Sequence, residues 1–331
     1  MSDWAGHRVF LTGATGLLGS HLAAALLERG ALVTCLVRDW VPESEAVARG
    51  TLSRCRVVRG ELEDYQLVLR ALNEHEIDSV FHLGAQAIVG TATISPLSTF
   101  EANIKGTWTV LEAARQLPRI ERVIVASSDK AYGPSANLPY AEDAPLAGRY
   151  PYDVSKSCAD LIALSYYHTY GLPVAVTRCG NLFGGGDLNF NRLVPGAMRS
   201  ALQGRAPTIR SDGTLVRDYF FVQDAVDAYL TLGIRVPEAG FVGQAFNFGL
   251  EHPLTVLEMV GRVLAAAGRP ELPVQVLDQA RAEIPRQYLS CEKARRLLGW
   301  SPRWELEDAL RVTAAWYASY LDVPLPDHQR A

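Results

Sequence analysis

The sequence predicts an α/β fold, a doubly wound parallel sheet with a smaller C-terminal lobe. Three observations carry this prediction. Short apolar runs alternate with Ala- and Leu-rich helical segments through the first half of the chain. The runs are apolar nearly throughout, as strands covered on both faces must be. A glycine-rich turn, Gly13-Ala14-Thr15-Gly16-Leu17-Leu18-Gly19, directly follows the first run and opens a helix.

In chain order, 8–12 reads as a buried strand and 17–29 as a helix ended by Gly30. Residues 31–37 and 56–59 are the second and third strands, and 64–75 is a helix. Residues 79–83 form the fourth strand, 99–116 one long helix and 123–127 the fifth strand. A second long helix spans 152–170, and 174–178 is the sixth strand. After Asn181 the texture loosens at Gly184-Gly185-Gly186-Asp187. Residues 195–203 and 223–232 read as helices, 210–222 as loop and strand, and 245–248 as one more strand. Residues 255–267, 291–298 and 305–320 are helical. The expected division is a dinucleotide-binding domain over 1–182, to which 223–249 returns. A second lobe over 183–222 and 250–331 covers the carboxyl ends of the strands, where open α/β sheets bind ligands.

The chain of 331 residues is 48% hydrophobic, enough for one large core and a lobe. Its net charge is −4, with both signs spread along it and no basic block, which argues against a nucleic-acid partner. Cys35, Cys55, Cys158, Cys179 and Cys291 form no C-x-x-C pair and no Cys/His spacing that suits a metal. That usage fits a reducing cytoplasm. The start, Met1 to Arg8, lacks the positive and apolar regions of a signal peptide, and no run approaches the roughly 20 apolar residues of a membrane span.

The glycine motif sits between a strand and a helix, the context it needs to hold a pyrophosphate. Gly13, Thr15, Gly16, Leu17, Leu18 and Gly19 would bring the backbone and the helix N-terminus to the phosphates. The second strand ends in Arg38-Asp39, and Asp39 lies 20 residues beyond Gly19. An acid there binds ribose hydroxyls and favours NAD, while Arg38 leaves NADP open. Glu61 and Leu62 would frame the adenine.

Tyr152-Asp153-Val154-Ser155-Lys156 is a Tyr-x-x-x-Lys pair, which a helix places on one face. Tyr is a weak base near its usual pKa of about 10, and a lysine ammonium together with the nicotinamide charge would favour the phenolate. Ser127 and Ser128 end the fifth strand, and either hydroxyl would reach the group being oxidised. Asp129 and Lys130 follow at the rim of the same cleft. A plain alcohol oxidation does not need them, so they suggest a second chemical step.

With Asn103-x-x-Gly106-Thr107, Arg178-x-x-Asn181, Arg217-Asp218-Tyr219 and Leu298-Gly299-Trp300-x-Pro302, these motifs resemble the extended short-chain dehydrogenase/reductases, in particular the sugar-nucleotide epimerases and dehydratases. The resemblance implies a Rossmann-type domain, bound NAD, a nucleotide-diphosphate sugar substrate and a homodimer paired through the two long helices. Ser128-Asp129-Lys130-Ala131-Tyr132 is most similar to the CDP-glucose 4,6-dehydratase branch. Val37-Arg38 is similar to the GDP-mannose dehydratase branch. By the resemblance, Ser128, Asp129, Lys130, Tyr152 and Lys156 are catalytic. Asn181, Arg192 and Arg217 would hold the substrate's diphosphate or ribose; Glu283, Arg286 and Tyr288 lie in a segment that often borders the nucleotide in that family, and no role is assigned to them. The implied reaction oxidises C4, eliminates water across C5 and C6, and returns the hydride to C6. Tyr152 would take the C4 hydroxyl proton, Lys130 would serve as base at C5 or orient a water or substrate oxygen that does, and a protonated Asp129 would be the acid at C6. A 4-epimerase, which needs neither Asp129 nor Lys130, and a non-catalytic protein that binds NAD and nucleotide sugar stay open.

Overall fold

The computed structural model describes residues 3–280 and 283–325. Positions 1–2, 281–282 and 326–331 of the expected domains lie outside the described residues. The chain opens with β1 (Arg8–Thr12), α1 (Leu17–Glu28), β2 (Leu32–Val37), α2 (Glu45–Ala48) and β3 (Arg56–Arg59). Next come α3 (Tyr65–Glu74), β4 (Ser79–His82), α4 (Val89–Ile94), α5 (Pro96–Phe100), α6 (Gly106–Arg115), β5 (Arg122–Ala126), α7 (Pro151–Tyr170) and β6 (Val174–Cys179). The second half holds β7 (Asn181–Phe183), α8 (Leu193–Leu202), β8 (Thr208–Ile209), β9 (Val216–Phe221), α9 (Val222–Arg235) and β10 (Ala245–Phe248). It closes with β11 (Pro253–Thr255), α10 (Val256–Ala266), β12 (Gln275–Val276), β13 (Arg286–Gln287), α11 (Glu292–Leu298) and α12 (Leu306–Tyr320).

Seven strands form one sheet in the order β10-β6-β5-β4-β1-β2-β3, every pairing parallel. This is the doubly wound, Rossmann-type arrangement that the apolar runs predict. Successive side chains of a strand point to opposite faces, and the core divides accordingly. Leu11, Phe81, Ile124 and Ala175 join the cluster with α1 and α9. Phe10, Val80, Val123, Val125 and Val176 join the cluster with α3, α6 and α7. Strand order reverses between β1 and β4, and there the Thr12 hydroxyl accepts from the Leu83 amide at 3.1 Å and the Gly84 amide at 2.9 Å. It also meets His82 Nδ1 at 2.9 Å.

The helix expected over 99–116 is interrupted. α5 ends at Phe100, a wider π turn spans Glu101–Lys105, and α6 begins at Gly106. Asn103 sits in that turn. Its side chain donates to the Gln86 carbonyl at 3.0 Å and to Ser155 Oγ at 2.8 Å, and accepts from the Gln86 amide at 2.7 Å. Such π turns commonly occur at functional sites, and here the turn ties the loop after β4 to α7. The fifth strand stops at Ala126, short of Ser127 and Ser128. The Ser127 amide still reaches the Thr177 carbonyl at 2.8 Å, and Ser128 caps a 3-10 turn over Asp129–Tyr132.

Beyond Asn181, β9 is the centre of a small sheet with β7, β11 and β13. Three of these four strands are only two or three residues long, too short for any period in the sequence to reveal. β10 returns to the large sheet, as expected for 245–248.

Gly13 has φ +77, and a Cβ there would lie 2.9 Å from the Gly84 amide nitrogen. A Cβ at Gly19 would run into the Gly13 carbonyl oxygen. Both belong to the turn that joins β1 to α1, and neither neighbour is a flexible side chain that could swing away. Gly19→Ala should therefore cost roughly 1–3 kcal/mol in urea denaturation, the range for overpacking a tight site. An unchanged midpoint would show that the turn relaxes freely.

Candidate active site

At the end of β1, the glycine turn leads into α1, whose N-terminus has no side-chain cap and no acid in its first turn. Leu17, Leu18 and Gly19 are buried there, Thr15 is half-buried and Gly16 is exposed. Backbone N–H groups without a side-chain cap, at a helix N-terminus where Gly13, Gly16 and Gly19 carry no Cβ, fit the pyrophosphate of a dinucleotide. His82, beneath the turn, is pushed down to about 3 by burial and the Lys156 charge, so it is a neutral strut bonded to Thr12 and to Thr107 Oγ1 at 3.1 Å.

Arg38 and Asp39, both exposed at the end of β2, pair with each other at 2.7 Å. The bond to Asp39 strengthens the hold of Arg38 on its proton, burial opposes it, and the Glu61 and Glu63 charges add lesser support. The arginine thus stands in an acidic surrounding. Glu61 is exposed, and half-buried Leu62 packs against Gly84 beyond β4.

α7 presents Tyr152 and Lys156 from successive turns, both buried. Lys156 Nζ donates to the Ala126 carbonyl at 2.8 Å, and burial lowers it to about 8. The Tyr152 phenol does not follow the expectation of a lysine-lowered base. Burial pushes it up to about 12, and the chief opposing charge is that of Arg192. The Ser128 hydroxyl lies against the phenol and favours its ionised form. It also donates to Asp129 Oδ1 at 3.0 Å.

Burial raises the Asp129 carboxyl above the usual carboxylate range, against the Lys130 charge. Lys130 shifts the opposite way, lowered first by burial and then by the Arg217 charge. Asp129 and Lys130 are each biased toward neutrality, the pair of states that an acid and a base need in order to act together.

The remaining predicted residues lie around this cluster. Buried Arg217, on β9, donates to the Val216 carbonyl at 2.9 Å and to Glu283 Oε2 at 3.0 Å. Arg192 pairs with Asp187 at 3.1 Å, and its charge reaches Tyr152. Asn181 is half-buried at the start of β7, in register with Tyr219. Arg178 of the same motif is buried and holds Asp160 with two bonds, at 2.7 and 2.9 Å, and the Tyr132 hydroxyl at 2.9 Å. It braces the turn that carries Lys130.

Sequence reasoning missed Gln287, whose Oε1 accepts from Lys130 Nζ at 2.7 Å. It also passed over Asp153, which is buried and raised to about 6 by that burial, against the Lys130 charge. Asp153 could have been found inside the Tyr-x-x-x-Lys motif. Nothing local marks Gln287. Among the described residues, no group of three or more His, Cys, Asp or Glu could hold a metal ion, and no helix is long and apolar enough to cross a membrane.

This sheet and its glycine turn define a Rossmann-type, dinucleotide-binding class of protein. The model of the NAD-dependent epimerase/dehydratase family matches residues 9–249, and the chain belongs to that family. The CDP-glucose 4,6-dehydratase of Salmonella typhimurium is 31% identical to it, over 96% of this chain and 92% of the relative. The dTDP-glucose 4,6-dehydratase of Streptomyces venezuelae, solved with NAD bound, superposes with a TM-score of 0.84 at 28% identity, covering 94% of this chain and 97% of that one. The UDP-glucose 4-epimerase of Thermotoga maritima superposes with a TM-score of 0.86 at 26% identity, covering 95% and 99%.

The Asp153 carboxyl, at about 6 in the folded chain, stands above its unfolded value of about 3.9. Between these values the folded state keeps a proton that the unfolded chain has lost, so this group's contribution to stability falls as pH rises from about 4 to 6. Asp153→Asn should match the wild-type pH trend below about pH 4. It should gain up to roughly 3 kcal/mol on the wild type by pH 7 in urea denaturation. A difference independent of pH would refute this account.

Proposed function

We propose that the protein is a nucleotide-diphosphate-sugar 4,6-dehydratase that carries NAD and acts on CDP-glucose. The observation that carries this reading is the buried pair Asp129 and Lys130, one biased to hold its proton and the other to release it. Simple oxidation or epimerisation at C4 has no use for such a pair. CDP-glucose is favoured by the Asp-Lys pairing and by the similarity to the Salmonella dehydratase. NAD is favoured over NADP because Asp39, Glu61 and Glu63 surround Arg38 and would repel a 2′-phosphate.

When bound, NAD would supply the acceptor, and later the donor, of one hydride. Residues 1–182 with 223–249 would hold it, and the lobe of 183–222 and 250–331 the substrate. Gly13, Thr15, Gly16, Leu17, Leu18 and Gly19 would cradle its pyrophosphate, Asp39 its adenosine ribose, and Glu61 and Leu62 its adenine. Lys156 would hold the nicotinamide ribose. With the nicotinamide charge added to that of Lys156, Tyr152 would ionise despite its burial, and its phenolate Oη, aligned by Ser128, takes the C4 hydroxyl proton. The resulting ketone acidifies C5. Neutral Lys130 removes the C5 proton, the freed electron pair forms the C5=C6 bond, and the C6–O bond breaks. That oxygen leaves as water with the proton of Asp129. Lys130 later returns its proton to C5, and the proton gained by Tyr152 restores Asp129 through solvent. Asn181, Arg192 and Arg217 would meet the diphosphate and its ribose. The product is a 4-keto-6-deoxy sugar nucleotide.

The purified protein, without added cofactor, should remove one water from CDP-glucose and not from the dTDP, UDP or GDP sugars, as read by mass spectrometry. Water loss from a different sugar nucleotide would keep the dehydratase and change its substrate. An unchanged mass with an inverted C4 configuration by NMR would make the protein an epimerase. Asp129→Asn with Lys130→Met should lower water loss by at least about 100-fold, the usual scale for removing acid–base groups. An active double variant would remove the proposed roles.

We also propose a cytoplasmic homodimer. The cysteine usage suggests the compartment. Trp108 and Leu161 are exposed apolar residues within the two long helices through which the resemblance implies pairing, and Ile94 and Leu97 lie exposed just before the first of them. Leu161→Glu should halve the mass measured by sedimentation. A wild type that sediments as a monomer would overturn the dimer.

A further inference from the structure

Three buried polar atoms close to Lys130 have no protein partner: Asp129 Oδ2, Asp153 Oδ2 and Gln287 Nε2. Asp129 is its chain neighbour, Gln287 is bonded to it, and the Asp153 and Lys130 charges act on each other. Buried polar atoms normally find partners, so three unmatched ones around one amine mark the place of a polar ligand.

The geometry of Gln287 is tightly set. β13 runs parallel to β9 with Gln287 opposite Arg217. Arg286 is exposed and Tyr288 half-buried, while Gln287 between them is fully buried, as strand alternation requires. A lysine side chain only donates, so the amide oxygen must face Lys130. The amide nitrogen then faces away from Lys130, with two donor hydrogens and no acceptor.

We propose that Gln287 is a positioning residue for the elimination: Oε1 holds the Lys130 amine against C5, and Nε2 donates to the C6 oxygen that departs. This rests on the dehydratase reading and adds to it a residue that the motifs do not contain. As the C5–H bond breaks, its proton goes to Lys130 and its electron pair forms the C5=C6 bond. The C6–O bond breaks, and the oxygen takes the proton of Asp129 and leaves as water. The Gln287 amide stays neutral throughout. It orients the leaving oxygen and stabilises the charge that grows on it before the proton arrives.

The test compares Gln287→Leu and Gln287→Glu with the wild type, each purified with its cofactor, on the nucleotide sugar that the wild type dehydrates. In single turnover, Gln287→Leu should still form reduced nicotinamide, read by its absorbance, at close to the wild-type rate. Water loss, read by mass spectrometry, should fall by about 10- to 100-fold. Gln287→Glu is nearly isosteric and places a carboxylate on Lys130. It should raise the pKa of the basic group in the pH profile of water loss by at least about one unit. The Lys130 Nζ titration followed by NMR should move the same way, and that reading needs no turnover. A Gln287→Leu enzyme with the wild-type balance of the two steps would overturn the proposal, as would loss of both steps together with an unmoved Lys130 titration in Gln287→Glu. A wild type that dehydrates no sugar nucleotide would end the dehydratase reading and this one together. A wild type that turns over beside an unaffected Gln287→Leu would end this one alone.

Discussion

Parallel pairing of seven strands is the constraint from which the site follows. Because all of them run the same way, every carboxyl end opens on one edge of the sheet. The turn after β1, the loop after β4, the Ser127–Lys130 segment after β5 and the start of β7 after β6 all emerge there. The strand order reverses between β1 and β4, which leaves a crevice between chain segments that depart to opposite faces. Thr12 closes its floor by bonding the Leu83 and Gly84 amides.

Burial then sets the chemistry of what gathers at that edge. Removing water from a charged group favours its neutral form, and the effect has opposite signs for an acid and a base. Burial therefore raises Asp129 and Tyr152 and lowers Lys130 and Lys156. The residues need no individual tuning to become a proton donor beside a proton acceptor. Arg217 adds to the effect on Lys130 while its own charge is held by Glu283.

The same scaffold serves enzymes that invert C4 and enzymes that expel water from C6. The difference must therefore lie in the few groups aimed at C5 and C6, since a shared fold does not fix the reaction. In this chain the groups proposed for that part are Asp129 and Lys130, carried by the 3-10 turn that Ser128 caps and Arg178 braces through Tyr132.

What the sequence determined by itself was whatever is local in the chain. Apolar runs mark the buried strands, the Gly13–Gly19 spacing marks the turn that joins β1 to α1, and Tyr152, Lys156, Asp129 and Lys130 stand in two short motifs. Tertiary structure decided the rest. The predicted helix over 99–116 breaks because Asn103 bonds Gln86 and Ser155, partners far from it in sequence. The small sheet around β9 consists largely of strands that exist through their pairing. Gln287 reaches Lys130 across 157 positions, and the shifted proton affinities of Asp129, Lys130 and Asp153 arise from exclusion of water. Periodicity and spacing encode contacts within a turn or a strand. Burial and long-range hydrogen bonds arise only when distant segments pack, and so no local pattern announces them.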